Sequence, residues 1–388
     1  MAAAEIMAKS IIRKFSRTES WFLGQYSMNL YRGCAHNCIY CDGRAEKYYV
    51  EGDFGKDISV KVNAAEILDR ELDPSRRRKP LPKGFVVLGG GVSDSYQPLE
   101  LQYEITKKVL QVIRKYNYPV HILTKSTLVE RDIGLITQIN TNTQAIVSMS
   151  FSSVDPALSA FLEPGVPPPE QRLRVLRQIK QAGIPVGMFL MPVVPGLSDT
   201  AKKIEESVSA ARDAGIDFII FGGMTLKEGR QKEYFLERLI KNHPEIADNY
   251  PVIYRGDKYG AAIGGYYKKI NDRFFTAARK YNMPVRIPLE FWKDQITMHD
   301  RIIVLLEHID SILSLRKDKS PYGYAAYALS KREDLSELIS SDKLKDIQGF
   351  SKEVKDIILE IAETGTSSLY KKLLSGSDTK QTDEEELF

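Results

Sequence analysis

Three residues, Cys34, Cys38 and Cys41, are the only cysteines in this 388-residue chain, and they lie within one eight-residue stretch. Three and then two residues separate successive thiols. Three thiolates can hold three irons of a four-iron cluster, whose fully protein-bound form takes four cysteines. One iron would then stay open to an outside ligand. This pattern therefore predicts chemistry at the loop rather than a purely structural role.

Two alternatives are weaker. A structural zinc ion takes four closed ligands, and the only nearby fourth candidate, His36, lies inside the first cysteine spacing, where ligation would strain the loop. Three buried, apolar cysteines are the second alternative. The neighbouring residues Gly33, Asn37 and Asp42 argue against it, because they are typical of a polar, turn-rich loop.

The Cys-x3-Cys-x2-Cys pattern, with the aromatic Tyr40 directly before the last cysteine, resembles the signature of radical S-adenosylmethionine (SAM) enzymes. The resemblance implies a [4Fe-4S] cluster on Cys34, Cys38 and Cys41, with the amino and carboxylate groups of SAM on the open iron. It implies that an electron from the cluster cleaves SAM to methionine and a 5′-deoxyadenosyl radical, which abstracts hydrogen from a substrate. A reductant protein would supply the electron.

Composition is that of a globular protein, with 43% hydrophobic residues and a formal net charge of +4. This charge permits an anionic partner without requiring one. The sequence has no run of eighteen apolar residues and no basic-then-apolar N-terminus, so we expect no transmembrane helix and no signal peptide. Clustered cysteines suit a reducing compartment, so we expect a cytoplasmic protein. The sequence predicts no oligomeric state.

Apolar runs alternate with helix-length segments between residues 26 and 222. Six runs predict strands: Tyr26–Leu30, Phe85–Leu88, Val120–Leu123, Ala145–Met149, Val186–Leu190 and Phe218–Phe221. The intervening segments carry apolar residues at helical spacing, as in βαβ units of a parallel sheet. We predict an α/β fold: a partial (β/α)6 barrel of the TIM type, over residues 26–225. The cysteine loop follows the first strand, at the end where barrel enzymes carry their chemistry.

The remaining segments divide as follows. Residues 1–25 are a basic lead-in, expected either to cover one end of the domain or to form a solvated arm. Residues 226–319 should close the barrel and form its substrate side. Residues 320–373 predict a small all-helical module, and residues 374–388 an acidic tail that we expect to be disordered.

The later strand ends resemble the spore photoproduct lyase-like branch of radical SAM proteins. The segments that carry this resemblance are 88–100, 124–126, 148–156, 162–164, 182–187 and 191–199. Together with the cysteine loop they give these candidate cofactor contacts: Tyr40, Gly89, Gly90, Gly91, Ser93, Asp94, Lys125, Ser148, Ser150 and Met191.

Each contact has a physical reason and an alternative. The glycine run lets the backbone approach the methionine end of SAM, although it could be only a tight strand exit. Ser93 and Asp94 offer acceptors for an ammonium or hydroxyl group. Lys125 offers a cation to the SAM carboxylate, although an exposed lysine is usually just solvated. Ser148 and Ser150 share one face of strand four and could meet the ribose hydroxyls, or could be a satisfied core pair.

Two positions depart from spore photoproduct lyase. That enzyme has a hydrogen-donating cysteine where this chain has Gly91, and a relay tyrosine where it has Asp42. Neither residue readily donates a hydrogen atom, so we expect no thymine photodimer reversal by the known route. The candidate final donors are Tyr96, Tyr48 and Tyr49, unless SAM is regenerated.

Two later segments suggest contacts to nucleic acid. Lys258, Tyr259 and Gly260 resemble a basic-Tyr-Gly stretch that enters the substrate side in photoproduct lyases, and aromatic residues beside cations suit unstacked bases and phosphates. We therefore count Tyr96, Lys258 and Tyr259 as candidate catalytic residues. Amphipathic helices that close the barrel are the alternative for this region.

The turn at 344–351, followed by a helix that ends at Thr364-Gly365, resembles a helix-hairpin-helix module. The resemblance implies that backbone N–H groups around Gly349 grip a DNA phosphate without reading bases. Ser351 replaces the usual second glycine and Glu353 adds a repelling charge. The alternative is a protein-docking or dimerisation module.

The sequence thus predicts a radical SAM enzyme acting on nucleic acid, with DNA bound through residues 320–373 for repair or modification. The first alternative is a radical SAM enzyme that modifies a protein or small molecule, with the helical module holding a partner. A cluster protein that binds nucleic acid without turnover is the second. It should not cleave SAM.

Overall fold

The computed structural model describes residues 3–48, 50, 52–76, 79–255, 259–292, 295–315 and 319–375. Tyr49, Lys258 and the tail from residue 376 lie outside these ranges. The chain divides into two units, Met1–Gln295 and Ile296–Phe388. The boundaries expected at residues 225, 319 and 373 stay predictions.

A seven-stranded sheet forms the centre of the first unit. The strands are β1 Ala4–Ile6, β2 Arg13–Glu19, β3 Gly24–Met28, β4 Tyr31–Arg32, β5 Ser59–Lys61, β6 Phe85–Leu88, β7 Val120–Thr124, β8 Ala145–Phe151, β9 Val186–Val193 and β10 Phe218–Gly223. The large sheet runs β10-β9-β8-β7-β6-β3-β2, and β3 and β6 to β10 are parallel. A small sheet has the order β1-β5-β4. The predicted partial (β/α)6 barrel is confirmed.

Helices follow the parallel strands and bury their apolar faces on the sheet. They are α1 Ala64–Leu72, α2 Glu100–Tyr103, α3 Ile105–Lys115, α4 Ile133–Asn142, α5 Pro156–Leu162, α6 Pro169–Gln181, α7 Ala201–Asp213, α8 Arg230–Asn242, α9 Pro244–Ala247, α10 Tyr250–Ile253 and α11 Gly264–Lys280. Short 3₁₀ turns occupy Asp42–Arg44, Glu46–Tyr48, Pro74–Arg76, Thr127–Asp132 and Leu289–Phe291. Over the described ranges, no helix is both long and apolar enough to cross a membrane.

The N-terminal segment differs from the expected arm or cover, because residues 13–19 form β2, which pairs antiparallel with β3 at the sheet edge. Its sequence RKFSRTE has no strand-like alternation of apolar residues, since most of its side chains are exposed. Backbone hydrogen bonds to β3 hold β2 in place, and this kind of pairing produces no apolar pattern in the sequence. The residues after it do contribute to the interior: the Phe22 ring stacks on Phe189, with 4.9 Å between centroids.

The second unit is helical, with α12 Met298–Leu315, α13 Tyr322–Leu329, α14 Leu335–Ser340, a 3₁₀ turn at Lys343–Asp346, α15 Lys352–Thr364 and α16 Ser368–Ser375. The Ser351 hydroxyl caps α15 by accepting a hydrogen bond from the Val354 N–H at 3.2 Å. Gly349 has a φ of +84°, so the turn before α15 needs a left-handed residue. The Tyr322 hydroxyl donates to Glu353, the residue expected to repel phosphate, at 2.7 Å.

The exit from β6 yields a stability prediction. Gly89 has a φ of +86°, and a Cβ there would overlap the Leu123 carbonyl oxygen on β7. We expect Gly89→Ala to lower the free energy of unfolding by about 2 kcal/mol or more. Gly134 in α4 is the matched control, because no atom lies within 4 Å of a Cβ added there. Gly134→Ala should stabilise by about 0.5 kcal/mol. Equal urea midpoints for the two variants would contradict the prediction.

Candidate active site

The cysteine loop begins after β4, beyond the carboxyl end of the first parallel strand. Cys34 and Cys38 are buried, Cys41 is half-buried, and all three are free thiols. Two tight turns set their spacing: the Asn37 N–H donates to the Cys34 carbonyl at 3.1 Å, and the Cys41 N–H to the Cys38 carbonyl at 3.3 Å. Asn37 is left-handed, with a φ of +53°. Two successive turns of the backbone therefore produce the cysteine spacing seen in the sequence.

The donor set fits an iron–sulfur cluster better than zinc. Within the part of the chain that the structure describes, no three His, Cys, Asp or Glu side chains are placed to hold a single metal ion. An iron–sulfur cluster does not need its three cysteine sulfurs to meet at a single metal ion, because each cysteine binds a different iron. Burial raises the pKa of Cys34 to about 12 and that of Cys38 well above its ordinary value. Such thiols need nearby positive charge, which bound iron supplies, to become thiolates.

Asp94 connects the cysteine loop to two strand ends. Its Oδ2 accepts from His36 Nε2 at 3.1 Å and from the Lys125 N–H at 2.7 Å. Its Oδ1 accepts from the Thr124 hydroxyl at 2.7 Å and the Tyr96 N–H at 2.8 Å. Burial opposes ionisation, but His36 and these donors lower the pKa of the carboxyl. Both oxygens are thus used within the protein, so the structure gives Asp94 a positioning role rather than that of a free acceptor.

Glu163 is the second buried carboxylate beside the loop. It accepts hydrogen bonds from the Tyr40 hydroxyl, from Lys125 Nζ at 2.8 Å and from Arg172 Nη2 at 2.8 Å. Burial alone would raise its pKa, but Lys125 and Arg172 lower the pKa to about 2. Glu163 is therefore an anion that holds Tyr40, directly before the last cysteine, and the cation at the end of β7.

Four of the predicted cofactor contacts lie together around Glu163. Lys125 Nζ also donates to the Ser150 hydroxyl at 2.8 Å and lies 5.6 Å from the centroid of the Tyr40 ring. The Ser150 hydroxyl donates to the Met191 carbonyl at 2.8 Å. The carboxyl ends of β7, β8 and β9 thus meet beside the cysteine loop. The Lys125 side chain is 16% exposed, so these partners do not enclose it completely.

The other predicted contacts are more dispersed. Ser148 is fully buried and bonded to His121 Nε2 at 2.8 Å; burial lowers the pKa of that imidazole to about 4. This is the satisfied core arrangement, the alternative for that serine. The Ser93 hydroxyl donates to the Tyr31 carbonyl at 3.2 Å. Gly89 serves a tight strand exit, and the next two glycines, Gly90 and Gly91, are exposed.

The candidate hydrogen donors fall in different places. Tyr96 is fully buried in the core, and its hydroxyl donates to Asp132 at 3.1 Å. The structure therefore does not bring it to an accessible position at the cysteine loop. The Tyr48 hydroxyl donates to Asp42 at 2.7 Å, next to Cys41. Tyr259 is 67% exposed.

The region after the barrel packs on the cysteine loop through α8. Gln231 donates to the Tyr40 carbonyl at 2.9 Å. The buried Arg44 guanidinium lies 3.4 Å from the centroid of the Tyr234 ring. Just before α8, the Leu226 N–H donates to the Gly260 carbonyl at 2.7 Å, which brings the Tyr259-Gly260 stretch to the same end of the barrel.

Sequence reasoning assigns no role to several residues of this site. The sequence analysis includes Glu163 only as part of the segment 162–164, which carries the family resemblance. It predicts nothing for Arg172. A signal for Arg172 exists: it shares the buried face of α6 with Val175, Leu176 and Ile179, where a lone arginine predicts a buried acidic partner. No comparable signal exists for His36, because its partner Asp94 is 58 residues away.

Comparison with known proteins defines the family. The family model described as the radical SAM superfamily matches residues 28–208. An uncharacterised protein of Methanocaldococcus jannaschii is 30% identical over 226 residues, which are 58% of this chain and 80% of the relative. The chain belongs to the radical SAM superfamily. An uncharacterised protein of Mycobacterium tuberculosis is 29% identical to this radical SAM protein over 283 residues, covering 72% of the chain and 81% of the relative.

Solved structures agree on the fold. Spore photoproduct lyase complexed with dinucleoside spore photoproduct matches with a TM-score of 0.55 and 17% identity, over 72% of this chain and 79% of that one. A mutant of the lyase with bound AdoMet and dinucleoside spore photoproduct matches with a TM-score of 0.52 and 18% identity, over 70% of this chain and 78% of that one. The cofactors of radical SAM proteins are a [4Fe-4S] cluster and SAM, as predicted.

The buried Glu163 network yields a second prediction. Glu163→Gln should lower the free energy of unfolding by about 3 kcal/mol, because Lys125 and Arg172 lose their shared counter-charge in a buried setting. The matched control is Glu130→Gln, which breaks an exposed pair with Arg174 at 3.0 Å. It should cost less than about 1 kcal/mol. Urea unfolding measures both, and equal losses would rule out a buried ion-pair network.

Proposed function

We propose that this radical SAM enzyme abstracts hydrogen from a nucleic-acid substrate, with DNA as the favoured class, in repair or modification. The observation that carries the enzymatic part is the three-cysteine loop beside the Lys125 ammonium, at the carboxyl ends of the parallel strands. When bound and reduced, the cluster supplies the electron that cleaves SAM to methionine and a 5′-deoxyadenosyl radical. The electron comes from a reductant protein.

Each residue has a distinct role in this proposal. Cys34, Cys38 and Cys41 ligate three irons. Lys125 binds the SAM carboxylate by a charge-assisted hydrogen bond, since its side chain is 16% exposed and its ammonium is oriented by Glu163 and Ser150. The further proposed SAM contacts are Tyr40, Gly90, Gly91, Ser93 and Met191. Three other candidates are already used within the protein: Gly89 shapes the strand exit, Asp94 holds the loop and the Lys125 backbone, and Ser148 bonds to His121 in the core.

The first test of this proposal is chemical. Anaerobic reconstitution should give about four irons with sulfide per chain. Cys34→Ala, Cys38→Ala and Cys41→Ala should each abolish formation of 5′-deoxyadenosine after reduction with SAM, while the far-ultraviolet circular dichroism stays that of the parent. Adding DNA to the parent enzyme should raise the yield of 5′-deoxyadenosine. Stoichiometric zinc without sulfide would refute the cluster, and a yield unaffected by DNA would favour a protein or small-molecule substrate.

Support for a nucleic-acid substrate comes from two directions. The fold matches a lyase whose structure holds a dinucleoside spore photoproduct. In the helical unit, the left-handed Gly349 precedes the capped start of α15, and the Tyr324 ring packs on it, with Cε1 2.8 Å from where a Cβ on Gly349 would lie. Tyr324 and Tyr327 are more than half exposed. We propose that residues 320–373 contact DNA phosphates here, and that Tyr259 lies on the substrate side. The role of Lys258, which is outside the described residues, stays a prediction.

Photoproduct reversal by the lyase route is not part of the proposal. Gly91 carries no hydrogen donor, and the carboxylate of Asp42 is bound by Lys227 and Tyr48. The product radical must therefore be quenched by another group or by regenerating SAM.

Removal of the helical unit tests its role. A chain ending at Gln295 keeps the cysteine loop and every strand of the described residues, so it should still bind iron and cleave SAM. Its affinity for duplex DNA should fall, and the dependence of log K on log salt should become shallower by about 0.9 for each phosphate that the helical unit neutralises. Fluorescence anisotropy across a salt series measures both quantities. Identical slopes for the two chains would favour the partner-docking alternative for this unit.

A further inference from the structure

Two exposed cations lie at the start of the edge strand β2. Arg13 pairs with Ser27 and Lys14 with Tyr26 of β3, so both sit beside the half of β3 that leads towards the cysteine loop. The Arg13 guanidinium lies over an aromatic ring, that of Phe15, 6.0 Å from its centroid. The edge of the large sheet nearest the loop is therefore basic.

Two further cations lie where the chain continues from β3 into the loop. Arg32 is exposed at the end of β4, and Lys61 is on the partner strand β5. Lys61 Nζ donates to the Asn29 carbonyl at 2.5 Å. Burial and the like charge of Arg32 lower the pKa of Lys61. The Asn29 amide lies beside Gly91, since a Cβ on Gly91 would be 2.8 Å from its Oδ1. Lys61 is thus connected through Asn29 to Gly91, one of the proposed SAM contacts.

None of these four cations has a counter-charge within the described ranges. Among the described residues, no carboxylate forms an ion pair with Arg13, Lys14, Arg32 or Lys61. By contrast, Lys125 beside the loop is paired with Glu163. A cluster of unpaired like charges repels itself and attracts an anion of matching extent. The four cations are spread over three strands, β2, β4 and β5. This spread suits a polyanion rather than one small carboxylate.

We propose that Arg13, Lys14, Arg32 and Lys61 form a surface, the β2-edge patch, that binds the phosphodiester backbone of the nucleic-acid substrate at the mouth of the barrel. This rests on the nucleic-acid substrate of the proposed function and adds the residues of the barrel that hold it. Cations without neighbouring base-reading groups bind phosphates independently of sequence. An acidic peptide added to the edge of β2 is the competing occupant.

The test compares two triple variants of the full, reconstituted chain with equal change in charge. The first, Arg13→Gln, Lys14→Gln and Lys61→Gln, removes most of the β2-edge patch. The control neutralises three exposed cations on the outer helices α6 and α7: Arg177→Gln, Lys202→Gln and Arg212→Gln. Binding of a fluorescein-labelled DNA duplex is measured by anisotropy across a salt series. Iron content and circular dichroism establish that each variant is folded.

The patch variant should bind the duplex at least about tenfold more weakly at low salt. The slope of log K against log salt should be shallower by about 0.9 for each phosphate that is no longer neutralised. The control should retain the parent slope. If removal of the Lys61 hydrogen bond unfolds the triple variant, Arg13→Gln with Lys14→Gln alone should still flatten the slope, because both side chains are exposed.

Four outcomes would overturn the inference. Parent-like affinity and slope in the patch variant, or an equal loss of affinity in the control, would remove the patch from DNA binding while leaving the proposed function intact. Displacement of the duplex by polyglutamate at equal charge concentration, in the parent but not the patch variant, would assign the patch to acidic peptides. A parent chain that binds no duplex or single-stranded DNA would refute both the inference and the nucleic-acid substrate, whereas SAM cleavage would test the enzyme separately.

Discussion

The buried carboxylate of Glu163 is the interaction on which the candidate site depends. Removing this charge from water is costly, and the cost is offset only because Lys125, Arg172 and Tyr40 all donate to it. Each donor comes from a different element: the end of β7, helix α6 and the cysteine loop. Packing alone would tolerate small shifts between these elements, but a shared buried anion does not.

Asp94 acts in the same way on the opposite side of the loop, through His36 and the backbone of Lys125. Lys125 is therefore fixed twice, at its backbone by one carboxylate and at its ammonium group by the other. A lysine held this way loses little side-chain entropy on binding an anion, so it suits a ligand carboxylate better than a solvated lysine. The two carboxylates position the loop and the cation together.

Local signals explain what the sequence predicted. Cys34, Cys38 and Cys41 are within one loop, and strands β6 to β10 are mostly apolar runs buried on both faces, so both features are recognisable. Strand β2 was not, because pairing at a sheet edge puts no constraint on the polarity of Arg13 or Lys14. The sequence assigns no role to Glu163, because its partners are far from it along the chain. Lys125 is 38 positions before it and Arg172 is 9 positions after it. Interactions of that kind become visible only once the strands are ordered.

In this partial barrel the edge strands β2 and β10 are not hydrogen-bonded to each other. Other interactions must therefore hold the two edges near the site. Side chains after β10 do this on the cofactor loop: Lys227 pairs with Asp42, and Gln231 binds the Tyr40 carbonyl. These interactions fasten the loop while β2 remains an edge strand of the sheet. The loop is thus fastened from the β10 edge of the sheet, while the basic residues of β2 lie at the other edge.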